Sequence, residues 1–216
     1  MNENFGPLMI ELKNPEKEIR LNALKKVYKL GSYASCLIDL VKENLTDYDD
    51  HVRSEAILAL YSITGSSMIC FEEVIVGLKS EDSDFVREAF SFVLSEKIKK
   101  NCDLPVMDSY IKSLVDLANS LDVYSKKQFC YAFGYIKKTA EIIDFLVQCA
   151  KSPIIDLKIV AIEAISKLEN NYDLLLGQII EEELDEAVKL KILNYNKEEN
   201  ENESRTVSRR ACQRSL

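Results

Sequence analysis

Apolar residues recur along this chain with the period of an amphipathic helix, and the same pattern returns at nearly constant intervals. An apolar residue is followed directly by a basic one. A small or apolar residue stands three positions after the basic residue. These pairs are Ile19-Arg20, Val52-Arg53, Val86-Arg87, Leu157-Lys158 and Val188-Lys189, with a degenerate copy at Ser125-Lys126. In the copies that begin at Ile19, Val52 and Leu157, further apolar residues follow at offsets of four, eight and eleven, which share one helical face.

A second helical segment precedes most of these copies, so the predicted unit is a pair of helices joined by a short polar turn. The preceding segments are residues 34–45, 69–78, 110–117, 142–149 and 174–180. Asp, Ser and Pro in the turns at 14–15, 47–50, 81–84 and 151–153 are expected to cap and start the second helices. The longest interval between basic residues, 39 positions from Arg87 to Lys126, indicates a small insertion at 99–105.

One helix pair cannot bury its apolar face alone, whereas stacked pairs bury these faces against each other. No strand pattern interrupts the helical one. The sequence therefore predicts an all-α solenoid of about six helix pairs over residues 1–194. Residues 195–216 form a polar run without apolar periodicity, and we expect them to be a disordered tail.

Composition narrows the classes of partner. The formal net charge is −8, and residues 197–216 hold five Lys/Arg and four Glu, so the part before them carries about −9. This acidic part of the chain has no general attraction for phosphate backbones. No apolar run in the sequence approaches the length of a membrane span. We expect neither a nucleic-acid nor a membrane partner.

Six cysteines occur without a CxxC pair, and the first twelve residues lack the apolar region of a secretory signal. These features predict reduced, buried cysteines in a cytoplasmic protein.

Residues 45–60 (LTDYDDHVRSEAILAL) resemble a HEAT repeat. That family places an acidic residue in the turn and an arginine six positions later, as Asp47 and Arg53 do here, with Glu81 and Arg87 as a second match. Later copies have Ser120 and Ser152 in place of the acid. The resemblance extends over residues 12–193 and implies a HEAT-like α-solenoid, whereas armadillo repeats usually add a third helix for which these intervals leave no room. HEAT proteins serve as scaffolds, adaptors, transport receptors and regulatory subunits.

The regular basic residues admit two interpretations. In the first, they line a groove that binds an anionic partner. In the second, each binds the acid and carbonyl groups of neighbouring turns and joins one repeat to the next. The resemblance to HEAT repeats favours the second interpretation.

Candidate catalytic chemistry is sparse. The single histidine, His51, lies in a predicted turn, where an exposed capping role is expected. Neither clustered metal-ligand spacing nor a Gly-rich phosphate loop occurs, so we expect no metal and no cofactor. Two enzymatic HEAT-like classes remain as alternatives, the phycobilin lyase-type subunits and the DNA-alkylation-repair glycosylases. The acidic body without Trp and the lack of a bilin motif weigh against them, and we do not expect an enzyme.

The outer face of the second helices carries the candidate site. In the middle repeats this face presents Leu58, Phe92, Tyr131 and Tyr135 where solvation alone would favour Lys or Glu. The flanking repeats place Lys25, Lys29, Glu163 and Lys167 at the same offsets. An apolar centre with a polar rim is typical of a protein-binding surface, although the same residues could instead pack on neighbouring repeats. The sequence therefore predicts a scaffold or adaptor that binds another protein or peptide through a concave groove.

Overall fold

The computed structural model describes residues 5–168, which form α-helices joined by short turns, with no strand in this range. The helices are α1 (Gly6–Leu12), α2 (Lys17–Leu30), α3 (Ile38–Glu43), α4 (Asp50–Thr64), α5 (Phe71–Ser80), α6 (Asp84–Lys100), α7 (Met107–Ser120), α8 (Val123–Phe133), α9 (Ala140–Ala150) and α10 (Ile155–Lys167). The predicted all-α class is confirmed for this range. The predicted helix pair at 174–193 and the tail at 195–216 lie outside the described residues.

Even-numbered helices pack consecutively on one another, α2 on α4, α4 on α6, α6 on α8 and α8 on α10. The odd-numbered helices do not all pack on one another in this way. Helix α7 packs on α9, but α5 packs mainly on α6. The predicted apolar stripe faces this core: in α4 the side chains at the expected offsets, Val52, Ala56, Leu60 and Ile63, are all buried. None of the described helices combines the length and apolar character that crossing a bilayer requires.

The helix ends follow the turn chemistry in the sequence. Asp49 caps α4 by accepting hydrogen bonds from the backbone N–H groups of His51 and Val52, and Asp122 caps α8 through Ser125 N. Gly31 and Gly65 end α2 and α4 with φ of +57° and +56°. Glycine adopts this left-handed region without the steric penalty of a Cβ, which explains its place at both ends.

Three predicted boundaries are wrong. The segment expected as one helix from 34 to 45 is a 3-10 turn, Gly31–Leu37, followed by the short α3. The helix expected from residue 69 begins at Phe71, because Cys70 has φ +60° and cannot continue a right-handed helix. The expected insertion at 99–105 begins two residues later, since α6 continues to Lys100.

Free cysteines occupy several environments in the described range. Cys70, Cys130 and Cys149 are buried as predicted, Cys102 is partly buried, and Cys36 is exposed. The prediction of buried cysteines is therefore wrong for Cys36, which lies in the 3-10 turn outside the packed helical faces.

Arginines at the start of the even-numbered helices join successive turns. Arg20 donates to both carboxylate oxygens of Asp47 at 2.7 and 2.9 Å and to the carbonyls of Asn14 and Pro15 in its own turn. Arg53 repeats this arrangement. The joining interpretation of the basic residues is therefore confirmed for these two arginines.

The carboxylate–arginine pairs in the structure are not the pairs that stand six residues apart in the sequence. Arg53 donates to the backbone carbonyl of Asp47, whereas the Asp47 carboxylate accepts from Arg20 of the preceding helix pair. Farther along, Lys127, not Lys126, lies 3.5 Å from Asp156. Asp47 and Glu81 thus each bind the arginine of the preceding helix pair, whereas Asp84 pairs with Arg87 of its own helix.

Candidate protein-binding surface

Three of the four predicted site residues are exposed: Phe92 on α6, Tyr131 on α8, and Tyr135 in the turn that follows α8. The side chains of Phe92, Tyr131 and Tyr135 are 41%, 37% and 41% exposed. Leu58 is only partly buried, but it packs against the hydrophobic core. The structure therefore presents aromatic groups to solvent on α6 and at the end of α8, and places Leu58 at the margin of the core.

Phe92 does not stand alone on α6. Its ring lies 6.3 Å from the ring of Tyr61 on α4, at an interplanar angle of 76°. Tyr61 is partly buried, and burial raises the pKa of its hydroxyl. The contact joins two neighbouring helices through an edge-to-face pair, a favourable geometry for aromatic rings.

Tyr131 and Tyr135 form a second edge-to-face pair, with ring centroids 5.6 Å apart. Between them lies Gly134, where an added Cβ would come within 3.1 Å of the Ala164 Cα on α10. The absence of a side chain at Gly134 lets α10 approach the end of α8 closely. This approach brings the last turn of α10 beside the tyrosine pair.

Two lysines lie over this tyrosine pair. The Lys99 ammonium is 4.7 Å from the Tyr131 ring centroid and 5.9 Å from that of Tyr135. The Lys167 ammonium is 5.1 Å from both centroids. These distances fall within the range of cation–π attraction, so the rings position both charges at the surface.

Lys99 is also bonded to a carboxylate, since its ammonium donates to Glu96 at 2.5 Å. Burial lowers the pKa of Lys99, but hydrogen bonds to Glu96 and Tyr131 outweigh that effect and raise the pKa above its ordinary value. The ammonium therefore stays charged at neutral pH.

We name Tyr61, Phe92, Tyr131 and Tyr135 the aromatic band. Phe92 and Glu96 are one turn apart on α6, so the Glu96–Lys99 bond links the two halves of the band. The rings of Phe92, Tyr131 and Tyr135 are exposed, whereas Tyr61 is partly buried and the side chains of Lys99 and Glu96 are 18% and 20% exposed. The band therefore combines exposed aromatic rings with partly buried charged groups.

Sequence reasoning missed the most unusual polar residue near this face. Lys97 is completely buried, and its ammonium donates to the carbonyls of Gly65, Ser67 and Ile69 at 2.7–3.2 Å and to the Thr64 hydroxyl at 3.1 Å. Burial lowers its pKa to about 8. The sequence does place Lys97 eleven positions after Val86, and residues at that offset face the core in the other repeats. This offset could have indicated that Lys97 is buried. Lys97 fixes the connection between α4 and α5.

The described residues offer little for metal or acid–base chemistry. Within residues 5–168, no three His, Cys, Asp or Glu side chains come close enough to hold a metal ion. His51 is exposed at the start of α4, as expected, with its ring 5.1 Å from that of Phe85. Its neighbours therefore give it a packing contact at the surface.

No family model matches the sequence, and a search of curated proteins gives no match either.

Proposed function

We propose that this protein is a HEAT-like α-solenoid that works as a scaffold or adaptor, binding another polypeptide on the concave side formed by its second helices. It acts by binding and not by catalysis, in the cytoplasm. The support for the architecture is the alternation of first and second helices with nearly constant spacing, together with the turn-to-turn arginine bonds.

Unequal packing of the two helix sets supports the choice of side. The even-numbered helices pack consecutively, whereas α5 lies mainly on α6 without a comparable neighbour among the odd-numbered helices. A stack whose members approach more closely on one side curves toward that side. The even-numbered helices would then line the inner surface, as second helices do in HEAT proteins.

The observation that carries the proposal is the exposure of Phe92 on α6, Tyr131 on α8 and Tyr135 just after α8. Large exposed aromatic side chains that adjoin one another mark binding surfaces, because a partner that covers them removes apolar area from water. Ammonium groups and Glu96 at the margin supply the polar rim that typical interfaces have.

Site-specific photo-crosslinking tests this function. The photoreactive amino acid p-benzoylphenylalanine replaces Phe92 or Tyr131, and in a control it replaces Tyr33, an exposed aromatic residue outside the aromatic band. Irradiation in cells that make the protein should give the same discrete polypeptide adduct from positions 92 and 131, and none from position 33. Equal adducts from all three positions, or none from 92 and 131, would reject the proposed surface. A chromophore or glycosylase activity in the purified protein would favour the enzymatic alternatives.

A further inference from the structure

We infer that the partner of the aromatic band is an acidic polypeptide segment, whose carboxylate binds between Lys99 and Lys167 while an apolar side chain covers Phe92. The inference rests on the proposed function, because it takes the band as the place where a polypeptide binds. It adds the chemistry of the segment that the surface selects.

The two ammonium groups come from different helices, and both lie near the Tyr131 ring. Lys99 comes from α6 and Lys167 from α10, and both lie within about 5 Å of the Tyr131 ring centroid. They are consequently no more than about 10 Å apart, a gap that small side-chain adjustments close around one carboxylate. A carboxylate has two oxygens and about four lone-pair sites, so it can accept from both lysines.

The lysines retain the capacity to bind an added anion. An ammonium has three N–H donors, and Glu96 and Tyr131 accept two of those of Lys99, which leaves one for an added anion. The tyrosine rings hold the charges in place through their negative faces, so less side-chain freedom is lost when an anion binds. Pre-positioned cations of this kind favour a localised negative charge.

A nucleic acid fits this surface less well. Single strands bind where open ring faces allow bases to stack, but here the ammonium groups lie over the rings of Tyr131 and Tyr135, which also pack against each other. A phosphate backbone also needs an unbroken row of cations, and Glu55 and Glu96 lie on the same side of α4 and α6. A single carboxylate needs neither open ring faces nor an unbroken row of cations.

The spacing on α6 fixes the pattern expected in the partner. Phe92 and Lys99 are seven residues apart, or about 10 Å along the helix axis. A segment that contacts both therefore carries its apolar and acidic residues about seven positions apart if helical, or about three apart if extended.

The test selects peptides from a randomised 16-residue phage library on the purified full-length chain. Binding of the enriched peptides is then measured by fluorescence polarisation against matched variants. Lys99→Gln/Lys167→Gln removes both charges, and Lys100→Gln removes an exposed charge next along α6 as the control. Phe92→Ala tests the proposed function separately, and thermal melts establish that each variant is folded.

We expect the enriched peptides to share an Asp or Glu at one of the two spacings from an apolar residue. The double lysine variant should bind them about tenfold more weakly, and Lys100→Gln within about twofold of the original chain. Peptides that need Phe92 but neither lysine would overturn the acidic-segment inference and leave the proposed function standing. Absence of any Phe92-dependent peptide would overturn both.

Two further measurements test whether nucleic acid or an acidic run of this chain binds the surface instead. Tighter binding of a fluorescent 20-nucleotide oligo-dT than of the selected peptides would assign the surface to nucleic acid. Replacing Glu198, Glu199, Glu201 and Glu203 with Gln tests the acidic run in the chain itself. If that change raises peptide affinity about tenfold, the run occupies the lysine site in place of a partner; unchanged affinity supports the inference.

Discussion

The ring of Phe90 on α6 occupies the space that a side chain at Gly77 on α5 would need. A Cβ built on Gly77 would lie 2.4 Å from Cε1 of Phe90, far inside normal contact distance. Phe90 is only 1% exposed and forms part of the core, so its ring has little room to move. This contact allows α5 to lie close against α6.

Gly77→Ala should therefore destabilise the protein although alanine is the better helix former. The propensity gain is about 1 kcal/mol, and overpacking of a core costs about 1–3 kcal/mol, so we expect a net loss of up to about 2 kcal/mol. Urea unfolding followed by circular dichroism measures it. Val76→Ala, at an exposed position of the same helix, should stay within about 0.5 kcal/mol. A stabilised Gly77→Ala protein would show that the two helices separate easily.

Arg53→Gln should lower the free energy of unfolding by about 2–3 kcal/mol at pH 7, because it leaves the nearly buried Glu81 carboxylate without its charged partner. The double change Arg53→Gln/Glu81→Gln should recover part of that loss, as a double-mutant cycle would detect. Lys13→Gln breaks an exposed ion pair with Glu43 and should cost less than about 0.5 kcal/mol. Equal effects of Arg53→Gln and Lys13→Gln would contradict a joining role for the arginine.

The same pair gives a pH dependence. Burial opposes ionisation of Glu81, but hydrogen bonds from Arg53 and from the Ser83 N–H outweigh it and hold the pKa below its ordinary value of 4.5. The stabilisation is therefore complete above the unfolded pKa and is lost as pH falls through the lower folded pKa. The gap in unfolding free energy between the original chain and Arg53→Gln should accordingly narrow below about pH 4. A gap that widens on acidification would refute this account.

Lys97 should give a trend of the same sign, but at alkaline pH. The unfolded chain holds this proton up to a pKa of 10.5, while the folded protein releases it near 8. Between these values the unfolded state binds more protons, so the contribution of Lys97 to stability rises with pH. Relative to Lys97→Met, the original chain should gain about 1–3 kcal/mol between pH 8 and pH 10, measured by urea unfolding at each pH. A flat difference would mean that the surrounding carbonyls keep the ammonium protonated.

Phe90 and Phe92 provide a matched pair on α6. Phe92→Ala should cost less than about 1.5 kcal/mol, because the side chain is 41% exposed and loses chiefly its contact with Tyr61. Phe90→Ala should cost about 3–5 kcal/mol by removing a fully buried ring. Thermal and urea unfolding of the two variants checks the order. Similar losses would place Phe92 in the core and remove it from the binding surface.

Periodicity was sufficient to predict most of the buried positions, although Leu58, at an outward offset, packs against the core. Residues at offsets four, eight and eleven from Val52 are in the core, and the exposure of Phe92, Tyr131 and Tyr135 follows from the opposite offsets. These outcomes depend on helix geometry and on the regular repeat, both of which are local properties of the sequence.

Other features depend on contacts that periodicity does not encode. Lys97 occupies a core offset, but lysine is seldom buried, and only the converging carbonyls of the α4–α5 connection explain its place. Lys99 was assigned to an insertion, and its position over Tyr131 depends on α6 continuing to Lys100. The close approach of α10 at Gly134 likewise follows from the packing of two helices distant in sequence.

The shared turns also bear on how such a chain grows or shrinks. Arg20 and Arg53 make equivalent bonds, each with a carboxylate of the following turn. Excision of residues 47–80 would bring Glu81 to the place that Asp47 holds opposite Arg20, so both sides of the cut would carry the same contact. Loss or duplication of one such block would therefore preserve this arginine–carboxylate contact between neighbouring helix pairs.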